Sequence, residues 1–170
     1  MGTVSGDNNS YDRLYINTSS QGRIYNGRVN FDGSSPSTAY SSPVKGASQS
    51  FVGQFICSSG AYSGTRCNIR VVATNETINT GHEIKRVVRA EQHDQLPAIG
   101  NGDSGGPSYS VASDKTRVWA KGTHTAIDLS TARICTGVPT GYNGRQCAWR
   151  YWYVDVTKSL DAYGAKIVTG

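Results

Sequence analysis

The sequence predicts an all-β fold, a barrel or sandwich of short strands with a single helix near the C-terminus. Apolar and polar residues run in short segments separated by Asn-Gly, Asp-Gly, Ser-Pro and Ser-Gly, which are tight-turn chemistry. Only one stretch has helical spacing: Val156, Leu160 and Tyr163 fall on one face at i, i+4 and i+7. The length of 170 residues, 36% of them hydrophobic, suits one domain around one core.

Taken in order, strands are predicted at 13–17, 23–31, 50–57, 67–74, 84–90, 116–125 and 149–156. Many short strands joined by turns point to closure into a barrel or a sandwich. The segment 34–38, continuing through Ser42-Pro43, reads as a long surface loop. The helix is predicted at 156–163, with Asp155 as its cap and Gly164 taking the left-handed position after its last turn. No internal repeat, charge block or linker divides the chain.

Charge and composition exclude several functions. Seventeen Lys and Arg against 12 Asp and Glu leave a net +5, but only Lys85, Arg86 and Arg89 cluster, so no contiguous basic face for nucleic acid is expected. No run approaches the roughly 18 apolar residues of a membrane-spanning helix, and residues 1–10 have neither a basic nor an apolar leader region. The sequons at Asn8, Asn17 and Asn75 are common by chance in so Ser- and Thr-rich a chain. A monomer with neither membrane nor nucleic-acid partner is expected.

The four cysteines fit disulfides rather than zinc, whose sites need closely spaced Cys pairs or nearby His. Of three possible connectivities, Cys57 with Cys67 and Cys135 with Cys147 is preferred, because each closes a short Gly-, Ser- and Tyr-rich loop. Such staples imply an oxidising, extracellular setting. Neither a metal nor an organic cofactor is implied.

The chemistry concentrates in Asn101-Gly102-Asp103-Ser104-Gly105-Gly106-Pro107. A serine between glycines can occupy a tight turn that projects its hydroxyl, while the Gly102 and Ser104 amides point to where an oxyanion would form. This run resembles the nucleophile motif of chymotrypsin-like serine proteases, and its surroundings resemble the bacterial streptogrisin and alpha-lytic protease branch. Phe51 to Gly60, Ser63 to Cys67 and Val72 to Asn79 are similar to the hairpin opening that branch's second barrel, and residues 156–170 to its closing helix and strand.

The resemblance implies a chymotrypsin-like antiparallel double β-barrel: residues 1–45 as the end of the first barrel and a linker, 46–170 as the second barrel and C-terminal helix. It implies a secreted serine endopeptidase acting on proteins or peptides. Ser104 would be the nucleophile, Gly102 and Ser104 the oxyanion hole, and Asp103 the buried carboxylate shaping the turn. Tyr11-Asp12-Arg13-Leu14-Tyr15-Ile16 resembles the strand carrying the triad acid, so Asp12 would orient the imidazole. In the family that histidine precedes the acid, yet His82, His93 and His124 all follow Asp12. His82 reads as a turn residue and His93 as a solvated loop residue. The sequence therefore reads as a fragment whose N-terminal strands lie upstream, with little activity as written.

His124, Thr125 and Ala126 lie in a segment similar to the wall of the family's primary specificity pocket. A histidine at His124 predicts a preference for acidic side chains. Two departures stand out. The arginine that usually follows the position of Cys57 and neutralises the buried carboxylate is Ser58 here, so Asp103 needs another partner. The cysteine usual before the nucleophile turn is also missing, which leaves Cys135 and Cys147 to pair within a differently built pocket rim at 136–146. The competing reading is a non-catalytic homologue that binds peptides or proteins.

Overall fold

Period-two burial organises the chain. Ile69 and Val71 on one strand, Val88 and Ala90 on the next, and Tyr151 and Tyr153 on a third are buried, with more exposed residues between them. The computed structural model describes residues 2–22, 25–31, 40–137 and 143–170. Its first four strands are β1 (Thr3–Asn8), β2 (Arg13–Asn17), β3 (Arg28–Asn30) and β4 (Ser41–Ala47). There follow β5 (Phe55–Gly60), β6 (Gly64–Asn79), β7 (Glu83–Gln92), β8 (Ile99–Gly100), β9 (Pro107–Val111) and β10 (Val118–Ile127). Two short pieces, β11 (Ala132–Arg133) and β12 (Cys147–Ala148), precede β13 (Arg150–Asp155) and the helix α1 (Val156–Tyr163).

Six strands close into an antiparallel barrel in the order β13-β7-β6-β5-β9-β10, with β10 returning to β13. Closure removes the open edges that would otherwise solicit another chain. Its interior holds Ile56, Ile69, Val71, Val88, Ile99, Tyr151 and Tyr153 in one cluster, and a second cluster joins Cys57, Tyr109 and Val118 to Val29 and Val44 of the flanking strands. β4 lies parallel to β10 and antiparallel to β3. The β1–β2 hairpin stands outside the barrel. It is held by Tyr15 stacked on Tyr163 of α1 at 5.2 Å and by the Tyr11 ring, over which Arg13 and Arg86 lie at 5.1 and 5.6 Å. Val4, Leu14 and Ile16 of this hairpin are exposed.

The expected strands differ from the observed ones mainly at their ends. Residues 50–54 make a turn, not a strand, because Gly53 takes φ +92° and the Gln54 amide donates back to Phe51 O at 3.2 Å. Residues 23–24 of the expected strand 23–31 lie outside the described residues, and pairing there is confined to β3. The loop expected at 34–38 also lies outside them. Its continuation, Ser42-Pro43, is a correction: both residues belong to β4, where the Val44 amide reaches Gly27 O at 2.7 Å and Val44 and Gly46 are buried. Proline survives in a strand when its own missing N–H is not the one the ladder needs.

The helix occupies the expected residues. Asp155 accepts from the Thr157 amide at 2.9 Å, and Gly164 follows the last turn at φ +57°. No closing strand follows it, against expectation. The flanks of β4 are already taken by β3 and β10, and the tail gains one bond there, from the Gly170 amide to Val44 O at 3.1 Å. Both disulfides form as the spacing implied, Cys57–Cys67 joining β5 to β6 and Cys135–Cys147 closing the loop before β13.

Asp155 also ties the helix to the barrel: its second carboxylate oxygen accepts from the buried Ser50 amide at 3.2 Å. Asp155→Ala removes the cap and leaves that amide without its partner, and is expected to cost about 2–3 kcal/mol. Urea unfolding measures this, and a change below about 0.5 kcal/mol, typical of a featureless surface site, would contradict it.

Candidate active site

Ser104 stands exposed in the turn between β8 and β9. Glycine is required on both sides of it. Gly102 has φ +88° and its face is covered by the Tyr62 ring, so a Cβ there would collide; Gly105 has φ +77°. The turn is pinned through three of its amides. Asp103 N donates to Gly100 O at 3.0 Å, Gly105 N to His124 O at 2.9 Å and Gly106 N to Asp103 O at 3.0 Å. The amides of Gly102 and Ser104 have no acceptor among the described residues, which leaves two donors flanking Asp103 open to a ligand.

Asp103 is the fixed point beneath this turn. Its carboxylate is fully buried and accepts five hydrogen bonds. One oxygen takes the Tyr62 and Ser63 amides at 2.9 and 3.1 Å. The other takes the Gly100 amide at 2.8 Å, Ser63 Oγ at 2.5 Å and Arg145 Nη2 at 2.5 Å. The cation missing after Cys57 is therefore replaced by Arg145, carried on the loop that Cys135–Cys147 closes. Ser58, at the position where an arginine was expected, instead donates to Ala98 O at 3.1 Å. The sequence had pointed to the need for a partner but not to which residue; the clue was an arginine two places before a disulfide cysteine.

His124 sits on β10 where the strand bulges against β13, between His124 and Ala126. With Asn101, Ser104, Thr125 and Ala126 it lines a small pocket of about 80 Å³. The ring is buried and edge-on to Tyr151 at 5.4 Å, and the Tyr151 hydroxyl lies 3.0 Å from Ser108 Oγ. Its Nδ1 is 3.1 Å from Asp103 O, while its buried Nε2 has no hydrogen-bond partner among the described residues. Burial lowers its pKa to about 4, only partly offset by Asp103. At neutral pH the pocket therefore contains a neutral imidazole.

Asp12 is brought toward Ser104. Both line one cleft of about 620 Å³, together with Asp7, Arg13, Thr123 and His124. Asp12 is exposed, at φ +47°, where a single 3₁₀ turn over Asn9–Tyr11 ends and β2 begins. No histidine is hydrogen-bonded to either Asp12 or Ser104 among the described residues. His82 lies in the turn between β6 and β7, and His93 follows β7 with its ring edge-on to Phe55. Part of the expected pocket rim, 138–142, lies outside the described residues.

No protein-family profile and no curated protein sequence matches the chain. Its structure, however, is similar to those of bacterial serine proteases. To chymotrypsin of Cellulomonas bogoriensis the TM-score is 0.68 at 20% identity, covering 99% of this chain and 76% of that one. Protease A of Thermobifida fusca gives 0.68 at 21%, covering 99% and 75%. A glutamic-acid-specific serine protease, described as using a histidine triad in substrate binding, gives 0.62 at 23%, covering 91% and 65%. The chain thus spans just under two thirds of the last protein. The fold is chymotrypsin-like, with the closed antiparallel barrel and short helix anticipated from the sequence.

The buried ring of His124 makes stability depend on pH. The native ring takes up a proton only near pH 4, the unfolded one near 6.5. The unfolded chain therefore binds more protons between these values, and the stabilisation, complete above 6.5, is lost as pH falls towards 4. The loss should be roughly 3 kcal/mol. Urea midpoints of wild type and His124→Gln at pH 7, 5.5 and 4.5 isolate it, and parallel curves for the two proteins would exclude it.

Proposed function

We propose that the chain carries the catalytic serine of a secreted endopeptidase that cleaves peptide bonds after acidic residues. The observation that carries this reading is the nucleophile turn: an exposed Ser104 flanked by two unengaged amides, built over a neutralised carboxylate within a chymotrypsin-like barrel. Ser104 Oγ attacks the carbonyl carbon, and the Gly102 and Ser104 amides hold the oxyanion that forms. An imidazole between Asp12 and Ser104 takes the hydroxyl proton and passes it to the leaving amine, with Asp12 stabilising the charged ring. The shared cleft supports this division of roles. Two disulfides support an extracellular setting.

An acidic specificity is supported by His124 in the pocket beside Ser104 and by the likeness to a glutamic-acid-specific protease. That protease is described as using a histidine triad, whereas this chain brings one histidine to the pocket and backs it with the Tyr151–Ser108 pair. A substrate carboxylate would raise the pKa of His124, so binding would take up a proton. The second reading, a non-catalytic peptide-binding homologue, is favoured by one observation: among the described residues, no imidazole is hydrogen-bonded to Ser104 Oγ.

Hydrolysis assays on this chain separate the readings. Added imidazole is expected to accelerate cleavage of a Glu-terminated peptide ester by about 10²-fold, the size of a general-base contribution. Ser104→Ala should abolish the response, and the preference for Glu over Phe should widen as pH drops from 7 to 5. Faster cleavage after Phe would end the acidic assignment, and peptide binding without any Ser104-dependent hydrolysis would favour the homologue.

A further inference from the structure

We propose that Arg145 is the positioning residue of this site, holding the oxyanion turn and the wall of the specificity pocket in one register. The proposal rests on the protease reading and deepens it. Arg145 and Asp103 form an ion pair whose side chains are only 1% and 0% exposed. The same guanidinium nitrogen, Nη2, donates to Asp103 at 2.5 Å and to Ser63 Oγ at 2.6 Å, and Nε donates to Asn101 O at 2.7 Å. Asn101 lines the small pocket with His124 and Ser104. One side chain therefore bonds to both the residue on the pocket wall and the carboxylate beneath the oxyanion amides.

The backbone repeats the connection. Gln146 N donates to Asn101 Oδ1 at 2.9 Å, Asn101 N donates to Gln146 O at 2.9 Å, and Cys147 pairs with Gly100. The Tyr62 ring that covers Gly102 also lies under the guanidinium, at 5.6 Å. Lysine cannot reproduce this geometry, because a point charge on a flexible stem does not serve two acceptors in different directions as a planar fork does. A neutral residue would leave Asp103 buried without its cation, and taking a proton would then relieve the desolvated charge. The ionisable groups facing Asp103 are Arg145 from the disulfide loop, His124 of β10 through the Asp103 carbonyl, and Tyr62.

The test uses ¹H–¹⁵N spectra of this chain, reading the Gly102 and Ser104 amides, with an acetylated tetrapeptide ending in Glu as probe. In Arg145→Gln, those two amides should show a pH transition absent from wild type. Peptide affinity relative to wild type should be about tenfold weaker at pH 7.5 and recover towards pH 5, as expected when a charge-assisted bond to a buried carboxylate is lost. Arg145→Gln combined with Asp103→Asn should abolish the transition while leaving any His124 titration, and should restore most of the affinity. Arg145→Lys should restore only part. If Arg145→Gln does not fold, a folded double variant with native Gly102 and Ser104 resonances supports the proposal, and an unfolded one overturns it. Equal weakening at both pH values, no recovery in the double variant, or no effect at all also overturns it. A wild-type chain indifferent to the peptide would count against the protease reading, while the pH transition in the free variant would still decide the role of Arg145.

Discussion

A carboxylate buried where water cannot reach it organises this site. Asp103 lies between the barrel wall and the Ser104 turn, and its charge is tolerable because five hydrogen bonds, one of them from a guanidinium, converge on it. The donors come from three parts of the chain: Tyr62 and Ser63 from the β5–β6 turn, Gly100 from β8 and Arg145 from the disulfide loop. Satisfying one charge therefore sets four segments relative to each other. The amides of Gly102 and Ser104 are left open because those of Asp103, Gly105 and Gly106 are engaged. The position of the Ser104 hydroxyl is thus a consequence of where the charge beneath it is neutralised.

The barrel explains why so small a turn can be so well defined. Its strands close on themselves, so β9 leaves the Ser104 turn already paired with β5 on one side and β10 on the other. β10 then returns past the turn, where His124 exchanges backbone bonds with Gly105 and Gly106 at 2.9 and 2.8 Å. The same strand supplies the pocket side chain and braces the turn, so the pocket and Ser104 are positioned by one ladder. Bulges in β10 near Gly122 and His124 re-aim successive side chains without breaking that ladder.

Local chemistry made much of this legible in the sequence, and non-local pairing hid the rest. The helix was readable to the residue, since an Asp cap, one apolar face and a terminal glycine lie within ten positions of each other. The tight turn at 101–107 was readable because glycine can take the positive φ that Gly102 and Gly105 adopt there. β4 was not, because Ser-Ser-Pro is turn-like by composition and becomes a strand only by pairing with β3, while the rest of β4 pairs with β10, more than 70 residues away. Arg145 was unreadable for the same reason: it meets Asp103 across 42 positions. The demand for a cation was legible from Asp103 and Ser58; its supplier is a property of the tertiary fold.

His124 joins the two halves of the functional argument. A ring buried enough to be held neutral is a poor resting anion site, yet that burial is what makes a carboxylate reaching Nε2 energetically significant, because neither group would be screened by water. The neutral ring also avoids placing a second positive charge near the Arg145–Asp103 pair, which would compete for the same carboxylate. On the proposed acidic preference, the pocket would charge only when an acidic side chain arrives, and the turn over Asp103 would keep its balance of charge in the free protein. The pocket and the turn are linked through Asp103, whose carbonyl faces His124 and whose carboxylate faces Arg145.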